Sequence, residues 1–173
     1  MRRIKDNGED MNGALNFCCC SEKPRPLPAT LRKLQKEHDT ILNRSRTLLE
    51  SMKRTGHKEL SKTMAVRDLT HLKKLVNEHQ MKEEQILIPI VDRYLDTKAS
   101  ESMRNEHKEL AQTLLQLNVK LNRINCSNET RRAFIKSITE FNLIARRHFS
   151  REENVIYWYA RLCLSQPHDS TRV

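Results

Sequence analysis

The sequence predicts an all-α protein that folds as an antiparallel up-down four-helix bundle. Its 173 residues include only three glycines and five prolines, too few for the turns that a β-sandwich needs about every 8–12 residues. The β-branched runs that would form the strands of an α/β sheet are also missing. From Thr30 onward, apolar residues recur at alternating steps of three and four, which is the period of a helix with one buried face.

The chain divides into three predicted segments around a single domain large enough to bury a substantial core. Residues 1–29 show no periodicity and end in a proline-rich stretch, so they are expected to form a disordered arm. Residues 30–164 carry the helical pattern and form the predicted bundle. Residues 165–173 contain Pro167 and a polar tail and are expected to fray.

Local signals set the ends of the predicted helices. Gly56 is expected to stop the first helix, Pro89 to bend the second near its end, and Ser127 to cap the start of the fourth. The apolar stripe of the second helix is predicted to continue through Ile86 and Ile90. The stripe of the fourth helix is predicted to continue through Val155, Tyr159 and Leu162.

The chain is basic, with 32 Lys and Arg against 22 Asp and Glu and a formal charge of +10. The basic residues are spread along the sequence and aromatic residues are few, which favours a solvated basic surface over nucleic-acid binding. An acidic protein partner stays open. No apolar run approaches the ~18 residues of a membrane span, the charged start is unlike a secretory signal, and Cys18–Cys20 do not resemble a disulfide framework. We therefore expect a cytoplasmic protein.

Four histidines occupy positions of the helical stripes where an apolar residue is expected. Each predicted helix supplies one of them, and in two helices a glutamate follows four residues later, on the same face. These six side chains are the candidate metal ligands: His38, His79, Glu83, His107, His148 and Glu152.

The spacing of these residues repeats within the chain. His38 and His79 are 41 residues apart, as are His107 and His148. A shift of 69 residues maps the first pair onto the second and Glu83 onto Glu152. The two helical hairpins are therefore predicted to supply equivalent halves of one site, related by a pseudo-two-fold axis.

Six ionisable side chains cannot lie unpaired in a bundle core. The repeated spacing favours two bound metal ions, with the glutamates bridging and the histidines at either side, over a buried His–Glu hydrogen-bond network. Imidazole and carboxylate donors without thiolate suit two iron ions, and less often manganese or zinc. A bridging oxide or hydroxide would balance much of the remaining positive charge.

Further residues are candidates for outer contacts of this site. Glu37 and Glu106 precede ligand histidines and point about 100° away from them, so they are either hydrogen-bond acceptors or solvated charges, and Glu84 and Glu153 follow the same argument. His71 flanks the second stripe, about 80° from His79. The stripe also places Tyr159 at the edge of the site, where packing is the alternative role.

The sequence resembles the hemerythrin-like (HHE cation-binding) family over about residues 30–164. The second-helix pattern of that family, His-x-x-x-Glu-Glu followed by an apolar pair and proline, is matched through Pro89, whereas Tyr157-Trp158-Tyr159 replaces that ending in the fourth helix. The matching segments are Glu-His at 37–38 and 106–107, His-Gln-Met-Lys-Glu-Glu-Gln-Ile-Leu-Ile-Pro at 79–89, and His-Phe-Ser-Arg-Glu-Glu at 148–153. The resemblance implies a four-helix bundle that holds a non-haem di-iron centre.

The chain departs from the oxygen-carrying members of that family, which have a fifth histidine in a His-x-x-x-His pair on the third helix. Met103 and Ala111 stand four residues before and after His107. The match is closer to members with four histidines and two carboxylates, including proteins that repair iron–sulfur centres. Those repair proteins carry a cysteine pair near the N-terminus, so Cys18–Cys20 are either an echo of it or an incidental or acylated cluster.

Three functional hypotheses follow. The leading one is a di-iron protein that binds or reacts with a diatomic gas, dioxygen or nitric oxide, as a sensor or detoxifier. The second is a labile-iron donor in iron–sulfur cluster repair, and the third is a metal-free basic interaction bundle. The sequence contains no nucleophile–base pair or phosphate-binding loop, which favours a metal-binding protein over a turnover enzyme.

Overall fold

The computed structural model describes residues 28–54, 58–94, 97–124 and 127–165. Four long helices account for most of them, and the last continues through one π-helical turn into a short fifth helix. The elements are α1 Ala29–Arg54, α2 Lys58–Tyr94, α3 Thr97–Asn122, α4 Asn128–Arg151, the π turn Glu152–Ile156 and α5 Tyr157–Ser165. The described residues contain no strand, so the predicted all-α class is confirmed.

Polar contacts between neighbouring helices show that the helices run antiparallel. In each pair an early residue of one helix meets a late residue of the other, and residues further along meet in the reverse order. The contacts are Glu37–Lys82 and Arg44–Asp68 for α1 and α2, Asp92–Arg104 and Lys62–Asn122 for α2 and α3, Glu109–Arg147 and Lys120–Ser137 for α3 and α4, and Ser45–Asn142 and Met52–Arg131 for α1 and α4. This is the up-down arrangement of a four-helix bundle.

The apolar core has two parts, one on each side of the histidines. The larger part contains Ile41 and Leu110, and the smaller one contains Leu34 and Met103. His38 therefore lies between the two clusters along α1. The candidate site occupies a polar layer inside an otherwise apolar bundle.

The π turn corrects the predicted stripe at the end of the fourth helix. The backbone N–H of Tyr157 bonds the carbonyl of Glu152, five residues back, so the turn holds one more residue than an α-helical turn. The buried face is displaced accordingly. Ile156, Tyr157 and Ala160 are buried, and the predicted Val155, Tyr159 and Leu162 are exposed.

A similar correction applies to the end of α2. Leu87, Ile88 and Val91 are buried, whereas the predicted Ile86 is exposed and Ile90 is half-buried. From Glu83 the buried face advances by four residues to Leu87 and by four more to Val91. A step of three therefore places Ile86 on the flank of the helix.

The local signals have mixed outcomes. Ser127 caps α4 as predicted, because its hydroxyl accepts a hydrogen bond from the backbone N–H of Thr130, and α2 continues through Pro89 to Tyr94. The Gly56 stop, the arm up to residue 27, Cys18–Cys20 and the tail from residue 166 lie outside the described residues. None of the described helices combines the length and apolar character needed to cross a membrane.

Candidate metal centre

The structure brings all six candidate ligands together in the middle of the bundle. Every one of them is buried, with at most 4% of its surface exposed. They form two overlapping groups whose donor atoms lie within 4.8 Å of one another. Position A consists of His38 and His79 with both glutamates, and position B consists of His107 and His148 with the same Glu83 and Glu152.

Each glutamate divides its two oxygens between the two positions. Glu83 places Oε1 at 3.1 Å from His79 Nε2 and Oε2 at 3.2 Å from His107 Nε2. Glu152 places Oε2 at 3.3 Å from His38 Nε2 and Oε1 at 3.3 Å from His148 Nε2. Each position therefore receives two imidazole nitrogens and one oxygen from each carboxylate, the arrangement of two bridging carboxylates.

Six of the eight inward-facing donor atoms of this cluster have no hydrogen-bond partner within the described residues. Hydrogen-bond partners are missing, within the described residues, for Nε2 of His79, His107 and His148, for Oε2 of Glu83 and for both oxygens of Glu152. A buried polar atom without a partner costs about 1–3 kcal/mol. Six such atoms converging on two positions fit a pair of metal ions, which would accept a lone pair from each of them.

Carboxylates outside the cluster fix the orientation of three of the four histidines. Nδ1 of His38 donates to Glu153 over 2.7 Å, Nδ1 of His79 to Glu37 over 3.2 Å, and Nδ1 of His148 to Glu106 over 2.9 Å. These contacts favour the tautomer with a proton on Nδ1, which in a neutral ring would leave the Nε2 lone pair facing the cluster.

The fourth histidine is held more loosely. His107 Nδ1 lies 3.5 Å from Glu84 Oε1 and has no hydrogen-bond partner within the described residues. The Glu84 side chain is 55% exposed, against 31% for Glu153 in the equivalent contact. Position A is therefore the more firmly oriented of the two.

A further layer of charges holds the outer carboxylates. Lys82 Nζ lies 2.6 Å from Glu37, and Arg151 Nη1 lies 2.7 Å from Glu106. Partial burial alone would raise the pKa of Glu37, but the contacts with Lys82 and with His79 outweigh it and lower that pKa. Lys82 and Arg151 are themselves 69 residues apart, so the pseudo-two-fold repeat extends to the residues behind the ligands.

In the metal-free protein, the close approach of these side chains also shifts their pKa values. Burial alone would lower the pKa of His38 and of His107, yet contacts with Glu152 and Glu83 raise these values to about 10 and about 9. Burial alone would raise the pKa of Glu83, but the histidines around it hold that pKa well below its usual range. Without metal, His38 and His107 are therefore protonated at neutral pH, and metal binding would release those two protons.

Comparison of the chain with protein-family models and with curated proteins gives no match to either.

Two residues predicted as outer contacts lie elsewhere. His71 is exposed on α2, since its angle of about 80° from His79 takes it off the buried face. Tyr159 is 39% exposed, because the π turn rotates it outward. Among the described residues, His71 belongs to no group of His, Cys, Asp or Glu side chains that could hold a metal ion.

The site residue that the stripe failed to predict is Tyr157. Its side chain is buried, and its hydroxyl lies 3.4 Å from both His38 Nε2 and Glu83 Oε1. Burial and the charges of Glu83 and Glu152 raise the pKa of this hydroxyl well above its usual range. The replacement of the apolar-pair-and-proline ending by Tyr157-Trp158-Tyr159 is the sequence signal that could have indicated it.

A cleft of about 540 Å³ between α1 and α4 leads to one side of the cluster. His38 and Glu153 contribute to its lining, together with Arg146 and Arg147. Phe149 also lines it and stacks on the His38 ring at a centroid distance of 4.0 Å. The cleft therefore reaches the outer side of His38, whereas His79, Glu83 and Glu152 do not line it.

The outer carboxylates allow a first prediction. Glu37→Ala and Glu106→Ala are each expected to weaken metal binding by about 10–100-fold, because each leaves a ligand histidine without its Nδ1 acceptor. Isothermal titration with iron(II) under nitrogen measures the effect. Glu109→Ala is the matched control, since Glu109 pairs with Arg147 and not with a histidine, and an equal loss of affinity in it would contradict the prediction.

Proposed function

We propose that this protein is a hemerythrin-like non-haem di-iron protein that binds or reacts with a diatomic gas, dioxygen or nitric oxide, as a sensor or detoxifier. The observation that carries the proposal is the division of the Glu83 and Glu152 oxygens between two histidine pairs. In a hydrogen-bonded His–Glu network, each Nε2–H group would point at a carboxylate oxygen with acceptable hydrogen-bond geometry. Here most of the inward-facing donor atoms have no hydrogen-bond partner within the described residues.

The chemistry of the donors supports iron as the metal. Neutral imidazole and carboxylate suit iron, with manganese and zinc as weaker alternatives, and each set in the cluster contains only histidine and glutamate. The two carboxylates supply two negative charges to a buried site that would receive four positive ones. This imbalance favours a site that also takes up a small anionic or electron-accepting ligand.

The number of protein donors supports a reactive site. Two nitrogens and two oxygens per position leave room for further ligands on an ion that prefers five or six. When bound, a pair of iron ions would supply redox chemistry and open coordination positions. The cleft beside His38 comes nearest to position A from the side of Glu153.

Residues around the cluster orient the histidines and exclude water from the site. Glu37, Glu106 and Glu153 orient the imidazoles through their Nδ1 protons. Phe149 covers one face of His38, and the apolar clusters on both sides keep water out of the polar layer. Loss of water strengthens every electrostatic interaction inside the site.

Anaerobic iron loading followed by exposure to each gas tests this function. We expect about two irons per chain by elemental analysis, and a change in the visible spectrum within seconds when dioxygen or nitric oxide is added. The Glu83→Gln, Glu152→Gln double variant is the control and should show neither. A protein that holds two irons but leaves both gases unbound would contradict the proposed function while leaving the metal site intact.

A further inference from the structure

Tyr157 lies at one metal position and not at the other. Its hydroxyl is 3.4 Å from His38 Nε2 and 3.4 Å from Glu83 Oε1. Both of these atoms belong to position A. The side chain is 1% exposed, so water does not provide the hydroxyl with an alternative partner.

Tyr157 also breaks the chemical equivalence of the two halves of the site. The 69-residue shift pairs Tyr157 with Ile88, which is buried as well but cannot form a hydrogen bond. The same shift maps every histidine and glutamate of the cluster onto a residue of its own type. Of the two equivalent residues, only Tyr157 carries a hydroxyl group, and this group lies beside position A.

The hydrogen-bonding capacity of this hydroxyl is not used fully by the protein. Both contacts, at 3.4 Å, are long compared with the ~2.7–2.8 Å of a typical O–H···O bond. Metal at position A would engage the lone pairs of His38 Nε2 and Glu83 Oε1, the two acceptors that the hydroxyl now faces. A buried O–H group then needs another acceptor.

We propose that the Tyr157 hydroxyl donates a hydrogen bond to a small ligand held at position A and thereby makes position A the ligand-binding member of the pair. This inference rests on the proposed di-iron function. The cleft between α1 and α4 borders His38, which belongs to position A, so position A is the member of the pair that lies nearer to this cleft and to the hydroxyl. The ligand class is a small diatomic or linear anionic molecule with a lone pair facing the hydroxyl.

Azide, a small linear anion, is a suitable probe of the oxidised iron-loaded protein. We expect Tyr157→Phe to weaken azide binding about tenfold, the effect of one lost hydrogen bond in a buried site, with iron content unchanged. Tyr159→Phe is the matched control, since Tyr159 is exposed on the same helix, and it should bind azide like the parent protein. Optical titration measures the affinities.

Infrared spectroscopy separates a direct hydrogen bond from a purely structural role. In the parent protein the azide stretching frequency should shift on transfer to D₂O, and in Tyr157→Phe this shift should be absent. Unchanged azide affinity in Tyr157→Phe would overturn the inference. A phenolate-to-iron charge-transfer band that disappears in Tyr157→Phe would overturn it too, because Tyr157 would then be a metal ligand and not a donor. Either result leaves the di-iron proposal standing, whereas absence of iron from both proteins would refute the proposed function itself.

Discussion

Replacing Glu83 and Glu152 together with glutamine is expected to reduce bound iron from about two ions to fewer than about 0.2 per chain. Each carboxylate offers one oxygen to each position, whereas an amide has a single oxygen and an NH₂ group that cannot coordinate. The substitution also removes both negative charges from the buried site that we propose holds divalent cations. Elemental analysis after anaerobic loading and desalting measures the loss.

The matched control for this variant lies on the same two helices. Glu78 on α2 and Glu140 on α4 are about half exposed, and each pairs with a lysine four residues earlier. A Glu78→Gln, Glu140→Gln protein should retain about two irons. Circular dichroism of the site variant checks that the bundle is still helical, and full iron content in a folded Glu83→Gln, Glu152→Gln protein would show that the metal binds elsewhere.

Iron loading is expected to raise the melting temperature of the protein by roughly 10–20 °C. Binding to the folded state at a hundredfold excess over Kd stabilises it by about 2.7 kcal/mol per site, and a chain of this size gains roughly 2–4 °C per kcal/mol. Metal also gives partners to buried atoms that have no hydrogen bond within the described residues of the metal-free protein. Differential scanning calorimetry under nitrogen measures the shift.

A chelator and a second metal provide the controls for this thermal shift. Removal of iron with a chelator should return the melting temperature to its metal-free value, and magnesium at the same concentration should leave it unchanged, since imidazole is a poor ligand for that ion. A rise of less than about 2 °C with iron would argue for the alternative of a bundle whose histidines pair only with glutamates.

The sequence was sufficient to predict the bundle and the convergence of its six buried ionisable residues. The reason is that a residue in a regular α-helix has its direction fixed by its number, at about 100° per residue. His38 and His107 follow the stripes of α1 and α3, and both are buried as those stripes require. The 69-residue repeat then indicated which helix supplies which half of the cluster.

The end of the fourth helix could not be predicted in the same way. A π turn adds one residue to a helical turn without any change in the composition of the sequence, so the stripe expected at Val155 and Tyr159 falls on Ile156 and Ala160. The same displacement brings Tyr157 into the site. Periodicity alone does not locate such a turn, because it assumes the same number of residues in every turn of the helix.

The outer carboxylates show a different limit of sequence reasoning. Glu37 and Glu106 point away from His38 and His107, the histidines that follow them in their own helices, so the sequence leaves a solvated charge as the alternative role. Their actual partners, His79 and His148, belong to the neighbouring helices. Contacts between helices depend on the rotation of each helix in the bundle, which the period of a single helix does not specify.

Anomalous X-ray diffraction from crystals of the iron-loaded protein, collected at the iron absorption edge, tests the existence of the metal pair most directly. We expect two iron peaks per chain inside the bundle, one beside His38 and His79 and the other beside His107 and His148, with Glu83 and Glu152 reaching both. A single peak, or peaks confined to the surface of the bundle, would contradict a di-metal centre held by these six side chains.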